Sequence, residues 1–320
     1  MSMKHIPKVD LDNYLKGSPE QKAAFVKELG DSFSQIGFAI VKNHGVSQDL
    51  IDNAYHSFIS FFDLPENIKE KYEVPGLAGQ RGYTSKGKEH AKNRNVGDLK
   101  EFYHIGQTVE GDDPIKAHYP DNVFVEEVPG VKDYGVALYK SLENAGRELL
   151  RAIATYLDLE VDYFDGKIRN GNSILRPIHY YGIENPELIP DGAVRAAEHE
   201  DINLITLLIG ASAEGLQVKN ADGEWIGANP EPDEIVINVG DMLQRLTNNQ
   251  LASTTHRVVN PPKERMKDPR YSVPFFLHPR SEMDLSCLPQ CVDGAHPKKY
   301  TDITAGEYLN ERLREIGLKK

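Results

Sequence analysis

Apolar positions recur along this chain with helical spacing in its first half and in short, strand-like bursts in its second. After an extended start at residues 6–10, Ser18, Pro19 and Gln21 offer an N-cap, a first-turn proline and the return half of a capping box. Phe25, Leu29, Phe33 and Ile36 follow at helical spacing, and Gly37 supplies the stop. Residues 38–44 read as a buried strand. Ser47 caps a second helix, whose Ile51, Tyr55, Phe58 and Phe62 form a core-packing stripe that ends before Pro65. Gly76, Gly79, Gly82 and Gly87 interrupt any period across residues 73–98, which predicts a long loop. A strand over 99–106 would set Glu101 and Tyr103 on one face. A helix over about 131–157 carries apolar residues from Tyr134 to Tyr156 every three or four positions.

From residue 172 the pattern shortens. Strands are predicted over 173–181, 203–209, 215–219, 234–239, 256–259 and 271–277, with an Asp222-Gly223 hairpin turn among them. A last helix spans about 305–316. Many short strands joined by turns suggest a sandwich or jelly roll. The chain is therefore expected to be mainly β with flanking helices (α+β), as one domain. Its parts would be a mixed helical region over 1–170, a jelly-roll core over 171–290, and a C-terminal helix and tail over 291–320.

Charge narrows the partners. The 320 residues carry a net charge of −12, which opposes extended contact with nucleic acid or anionic lipid. No apolar run approaches membrane-spanning length, and the first residues hold no export segment. The two cysteines, Cys287 and Cys291, match no common zinc knuckle and cannot staple a fold of this size, so they are read as free thiols in a reducing cytoplasm. Oligomeric state leaves no signal.

The chemistry gathers at Glu198-His199-Glu200-Asp201, which leads into the apolar run 202–208. Read as one strand, residues 198–208 turn His199 and Asp201 to the same face and Glu200 away. A second imidazole, His256, stands about 55 residues later. Two imidazoles and a carboxylate fill one face of a six-coordinate metal and leave three positions open, the arrangement of non-haem Fe(II) oxygenases. Zinc takes similar ligands. Arg270 and Ser272 share a strand face, however, and offer a guanidinium fork and a hydroxyl to one carboxylate. A 2-oxo acid that chelates the metal would place its distal carboxylate there, which favours iron over a hydrolytic zinc.

The order His-x-Asp, distal His, Arg-x-Ser resembles the Fe(II)/2-oxoglutarate-dependent dioxygenases, in the branch of isopenicillin N synthase. Residues 37–45, the stretch Asn238-Val239-Gly240-Asp241, and the strands around His256 and Arg270 are similar to the same family over nearly the entire chain. The resemblance implies a double-stranded β-helix buttressed by N-terminal helices, with Fe(II) on His199, Asp201 and His256. It implies 2-oxoglutarate on Arg270 and Ser272, helped by Tyr181, with His179 standing where many relatives carry Asn and Gly182 where they carry Pro. It also implies Phe276 and His278 as substrate contacts, with Glu101 and Tyr103 on the opposite wall. The activity implied is oxidation of a small molecule by O2, with 2-oxoglutarate going to succinate and CO2. Two alternatives remain at this point: a 2-oxoglutarate-independent oxidase, and a catalytically silent jelly roll that binds a ligand or protein partner. The basic, Gly-rich segment 76–94 is a candidate lid, in which Lys86, Lys88, Lys92 or Arg94 would recruit an acidic substrate.

Overall fold

The helices begin where the sequence places caps. In the computed structural model, which describes residues 3–77, 79–88, 100–109, 111–183, 194–209 and 215–315, the Ser18 side chain accepts the Gln21 N–H, and Gln21 accepts the Ser18 N–H in return. The helix Pro19–Gln35 follows. Ser47 caps Gln48–Phe62 in the same way. Gly37, at φ 69°, turns the chain out of the first helix, where a Cβ would lie 2.0 Å from the Ala252 carbonyl oxygen.

Among the described residues thirteen strands occur, in chain order: β1 Lys8–Asp10, β2 Phe38–Lys42, β3 Gly82–Thr84, β4 Lys100–Gly106, β5 Ile174–Leu175, β6 Ile178–Tyr180, β7 Ala196–His199, β8 Ile205–Ile209, β9 Leu216–Lys219, β10 Trp225–Gly227, β11 Ile235–Val239, β12 His256–Val258 and β13 Arg270–Leu277. The larger sheet runs β1-β2-β11-β8-β13-β5-β4-β3, with β6 bridging β13 and β4. The smaller runs β10-β9-β12-β7. The back of the larger sheet, with Leu207, Ile237, Phe275 and Leu277, packs on the helices through Phe33, Phe58, Leu138, Leu142 and Leu149. Each such fully buried side chain contributes about 1.5–3 kcal/mol. The long helix Gly130–Tyr156 packs tightly on the sheet at Gly146, where a Cβ would lie 2.3 Å from Leu277 Cδ1. The front face meets the smaller sheet, with Phe38, Ile40 and Val236 against Leu216, Val218 and Val258.

Three expectations are corrected. Residues 198–208 do not form one strand: β7 ends at His199 in the smaller sheet, β8 begins at Ile205 in the larger, and the chain crosses between them over Asp201. The predicted strand 173–181 breaks at Arg176-Pro177, where Pro177 has no N–H to give the ladder. The predicted loop 73–98 contains β3, which pairs with β4. Of the candidate lid, Lys92 and Arg94 lie outside the described residues. Lys88 pairs with Glu73 at 2.7 Å, and the Lys86 ammonium sits 4.8 Å over the Tyr181 ring. No described helix is long and apolar enough to cross a membrane.

Candidate metal centre

His199 and His256 face each other across the β7–β12 ladder, with ring centroids 4.3 Å apart. Asp201, at the crossover, brings Oδ1 to 3.9 Å from the Nε2 of each. One ligand atom from each of the three lies within 4.8 Å of the others, and among the described residues no other group of this kind is found. Backbone carbonyls fix the rings: Nδ1 of His199 meets Ala197 O at 2.8 Å, and Nδ1 of His256 meets Thr254 O at 3.1 Å. Each Nδ1 therefore carries the proton and each Nε2 keeps its lone pair for the centre. Asp201 is oriented likewise. Its Oδ2 accepts from Thr206 Oγ1 at 2.6 Å and from Asn238 Nδ2 at 2.8 Å, and Thr206 in turn accepts from Asn203 at 3.0 Å. Burial would raise the Asp201 carboxyl, but His256, His199 and these two donors outweigh it and hold it below its ordinary range. His256 and Asp201 are buried while His199 is exposed, so the cluster opens on the His199 side. Glu200 points elsewhere and accepts from Thr255 at 2.8 Å.

Two neutral imidazole nitrogens and one ionised carboxylate, pre-aimed at one point, fit a divalent metal with open positions. The ring of Phe38, from the N-terminal half, packs edge-on against that of His256, with centroids 5.3 Å apart.

Arg270 and Ser272 lie on the inner face of β13 and are buried. The ladder sets Arg270 opposite Tyr180 and Ser272 opposite Ile178, and the guanidinium lies 5.2 Å from the Tyr180 ring. Phe276 and His278 continue the parity of Arg270. Burial pushes the His278 imidazole down to about 4.

Four sequence-predicted residues lie elsewhere. His179 is opposite Tyr271, on the outer face, where their rings stack at 4.7 Å and 11°. Tyr181 shares that side, 4.7 Å from His179. The aromatic beside Arg270 is thus Tyr180, and a one-residue slip in register accounts for the error. Glu101 and Tyr103 do share a face, but it is turned to the helices. Glu101 is fully buried and binds Lys69 Nζ at 2.7 Å, Tyr83 OH at 2.5 Å and His179 Nδ1 at 2.7 Å. Tyr103 donates to Val123 O and packs 5.1 Å from Phe61. The inner face of β4 instead presents Phe102 and His104. Arg176, not singled out from sequence, lies there with its guanidinium 4.6 Å from the Phe102 ring and 5.4 Å from that of Phe276. Its position just before Pro177, at a strand break, was the available signal.

Comparison with known proteins agrees with this geometry. Residues 6–127 match the family model described as non-haem dioxygenase in morphine synthesis N-terminal, and residues 172–279 match that of the 2OG-Fe(II) oxygenase superfamily. A 2-oxoglutarate-dependent dioxygenase of Aspergillus rugulosus is 33% identical over 96% of this chain and 98% of its own. A crystal structure of a 2OG-Fe(II) oxygenase family protein from Caulobacter crescentus superposes with a TM-score of 0.88 at 45% identity, covering 98% of this chain and 100% of that one. A full-length Neurospora crassa protein crystallised with alpha-KG and thymine gives a TM-score of 0.85 at 32% identity, covering 97% and 96%.

Proposed function

Because the chain belongs to the 2OG-Fe(II) oxygenase superfamily, in its isopenicillin N synthase-like branch, and is an Fe(II)- and 2-oxoglutarate-dependent oxygenase of a small molecule, we propose that His199, Asp201 and His256 hold the iron and that Arg270 and Ser272 hold the co-substrate. The two facing sheets are the family's double-stranded β-helix. The observation that carries the assignment is the convergence of the two Nε2 atoms on Asp201 Oδ1, with every outer atom of the three side chains already hydrogen-bonded.

Bound iron supplies the redox chemistry by which one O2 is shared between succinate and product, with one C–H of the substrate becoming C–OH and CO2 leaving from 2-oxoglutarate. The protein's part is positional. Arg270 offers its planar fork, and Ser272 its hydroxyl, to the distal carboxylate, in a buried setting where charge-assisted bonds are strong. Tyr180 backs the guanidinium. Thr206 and Asn238 keep Asp201 ionised and fixed. Replacing Thr206 by Val removes one of those donors at similar volume, and divalent-metal affinity, read by Fe(II) or Mn(II) titration, is expected to fall about 10- to 100-fold.

The acidic surface disfavours nucleic acid, and the two free thiols, Cys287 and Cys291, suit a cytoplasmic setting. We read residues 1–320 as one domain, since strands from both ends of the sequence share the larger sheet.

The deciding experiment is an anaerobic titration of Fe(II) and 2-oxoglutarate into the metal-free protein. A weak visible charge-transfer band is expected, and Arg270→Ala should require about 30-fold more 2-oxoglutarate to develop it. Bound iron without a band would instead favour an oxidase that takes its substrate directly on the metal.

A further inference from the structure

Behind the co-substrate pair, the outer face of β4, β6 and β13 carries a row of linked side chains. The ladders set Glu101 opposite His179, and His179 opposite Tyr271. His179 Nδ1–H donates to Glu101 Oε1 at 2.7 Å, and the imidazole stacks on the Tyr271 ring with centroids 4.7 Å and planes 11° apart. The helix side closes the row. Phe62 packs its ring 5.6 Å from that of His179 and 6.3 Å from that of Tyr271. Its carbonyl accepts from Lys69 Nζ at 3.0 Å, and Lys69 pairs with Glu101 at 2.7 Å.

The strand in the middle of this row is short. β6 has three residues, and Pro177 before it has no N–H to donate. In so short a strand the cross-strand side-chain pairs carry much of the register, and a slip of one residue would turn each side chain to the other face. Tyr271 stands between Arg270 and Ser272 in β13, so holding its ring on the outer face fixes the direction in which both neighbours point inward. The hydrogen bond to Glu101 sets the plane of the imidazole, and the stack passes that orientation to Tyr271.

Resting on the assignment of Arg270 and Ser272 to 2-oxoglutarate, we propose that His179 is a positioning residue for the co-substrate. Oriented by Glu101, it holds Tyr271 and thereby aims the Arg270 and Ser272 side chains. It acts from the opposite face of the sheet, through Tyr271, as an outer layer that keeps a binding pair in its productive geometry.

The test follows the chelate band as 2-oxoglutarate is titrated anaerobically into protein loaded with Fe(II). His179→Gln keeps a donor for Glu101 but has no ring, and Tyr271→Leu removes the other half of the stack. Each is expected to need about fivefold more 2-oxoglutarate, while Fe(II) affinity, read by titration of the metal-free protein, stays within about twofold. Tyr271→Phe keeps the ring and should stay within about twofold of wild type. The double variant His179→Gln/Tyr271→Leu should need about the same fivefold as either single, because one stack can be lost only once. Multiplication to about 25-fold would mean two independent contacts and overturns the relay. A role in packing alone lowers the melting temperature with the 2-oxoglutarate dependence unchanged, or weakens Fe(II) and 2-oxoglutarate together, and either result overturns the proposal. Tyr271 is half-buried, so its variants should fold even where those of His179 do not. Arg270→Ala separates the two levels. If it raises the 2-oxoglutarate requirement while Tyr271→Leu leaves it unchanged, the co-substrate assignment stands and this inference alone fails. If Arg270→Ala changes nothing, the assignment fails, and this inference with it.

Discussion

Asp201→Ala is expected to lower 2-oxoglutarate-dependent succinate formation about a thousandfold or more, even with Fe(II) in excess. Asp201 is the only anion in the proposed ligand set, and its loss leaves two neutral imidazoles facing each other 4.3 Å apart. Several kcal/mol of metal-dependent transition-state stabilisation goes with it, and each 1.36 kcal/mol is a factor of ten. The substitution also removes the acceptor used by Thr206 and Asn238. Thr206 already reaches Asn203 Oδ1 at 3.3 Å and Asn238 reaches Val239 O at 3.4 Å, so both donors keep an acceptor and the fold should persist. Succinate measured by chromatography, beside a melting curve of the metal-free protein, checks the two halves of the statement. Substantial succinate from a folded variant would mean that the metal sits elsewhere.

Lys69→Met should cost about 3–5 kcal/mol of folding stability, because it removes the cation paired with the Glu101 carboxylate in the interior and leaves it to donors such as His179 and Tyr83. Urea unfolding would show a lower midpoint at unchanged slope. The double variant Lys69→Met/Glu101→Leu removes both charges together and should recover a large part of the loss, which a double-mutant cycle measures. The pH dependence has a definite sign. Burial alone would raise the Glu101 carboxyl, but hydrogen bonds from His179, Lys69 and Tyr83 more than offset this and hold it below its ordinary value of 4.5. A group with a depressed folded-state pKa contributes fully above its unfolded value, and the contribution is lost as pH falls through the folded one. Wild-type protein should therefore lose stability below pH 4.5 more steeply than Glu101→Gln.

The helices were legible because each carries its own punctuation: Ser18 with Gln21, Ser47, and Gly37. The His199, Asp201, His256 set was legible as chemistry, since those residue types in that order leave few alternatives. Its local geometry was not, for the three meet at a crossover between sheets, where a strand period no longer applies. Facing was the harder quantity. A strand's two sides are both visible in sequence, but which side looks inward depends on its ladder partner. Glu101 and Tyr103 alternate correctly, and the pairing of Glu101 with His179 then turns both of them to the helices. The same ladder moved the aromatic beside Arg270 from Tyr181 to Tyr180. β3 escaped notice because three residues are too few to show a period.

Strand β2 carries a consequence for anyone recombining relatives of this enzyme. It is encoded in the segment that precedes the oxygenase core, yet it pairs with β11 along four consecutive positions and sets Phe38 against a proposed iron ligand. A chimera joined near residue 170 would inherit one wall of its reaction chamber from each parent. Such hybrids should tolerate foreign N-terminal halves only when the donor supplies an aromatic of similar size at position 38, and crossover points placed before residue 38 should be far more permissive than those placed after it.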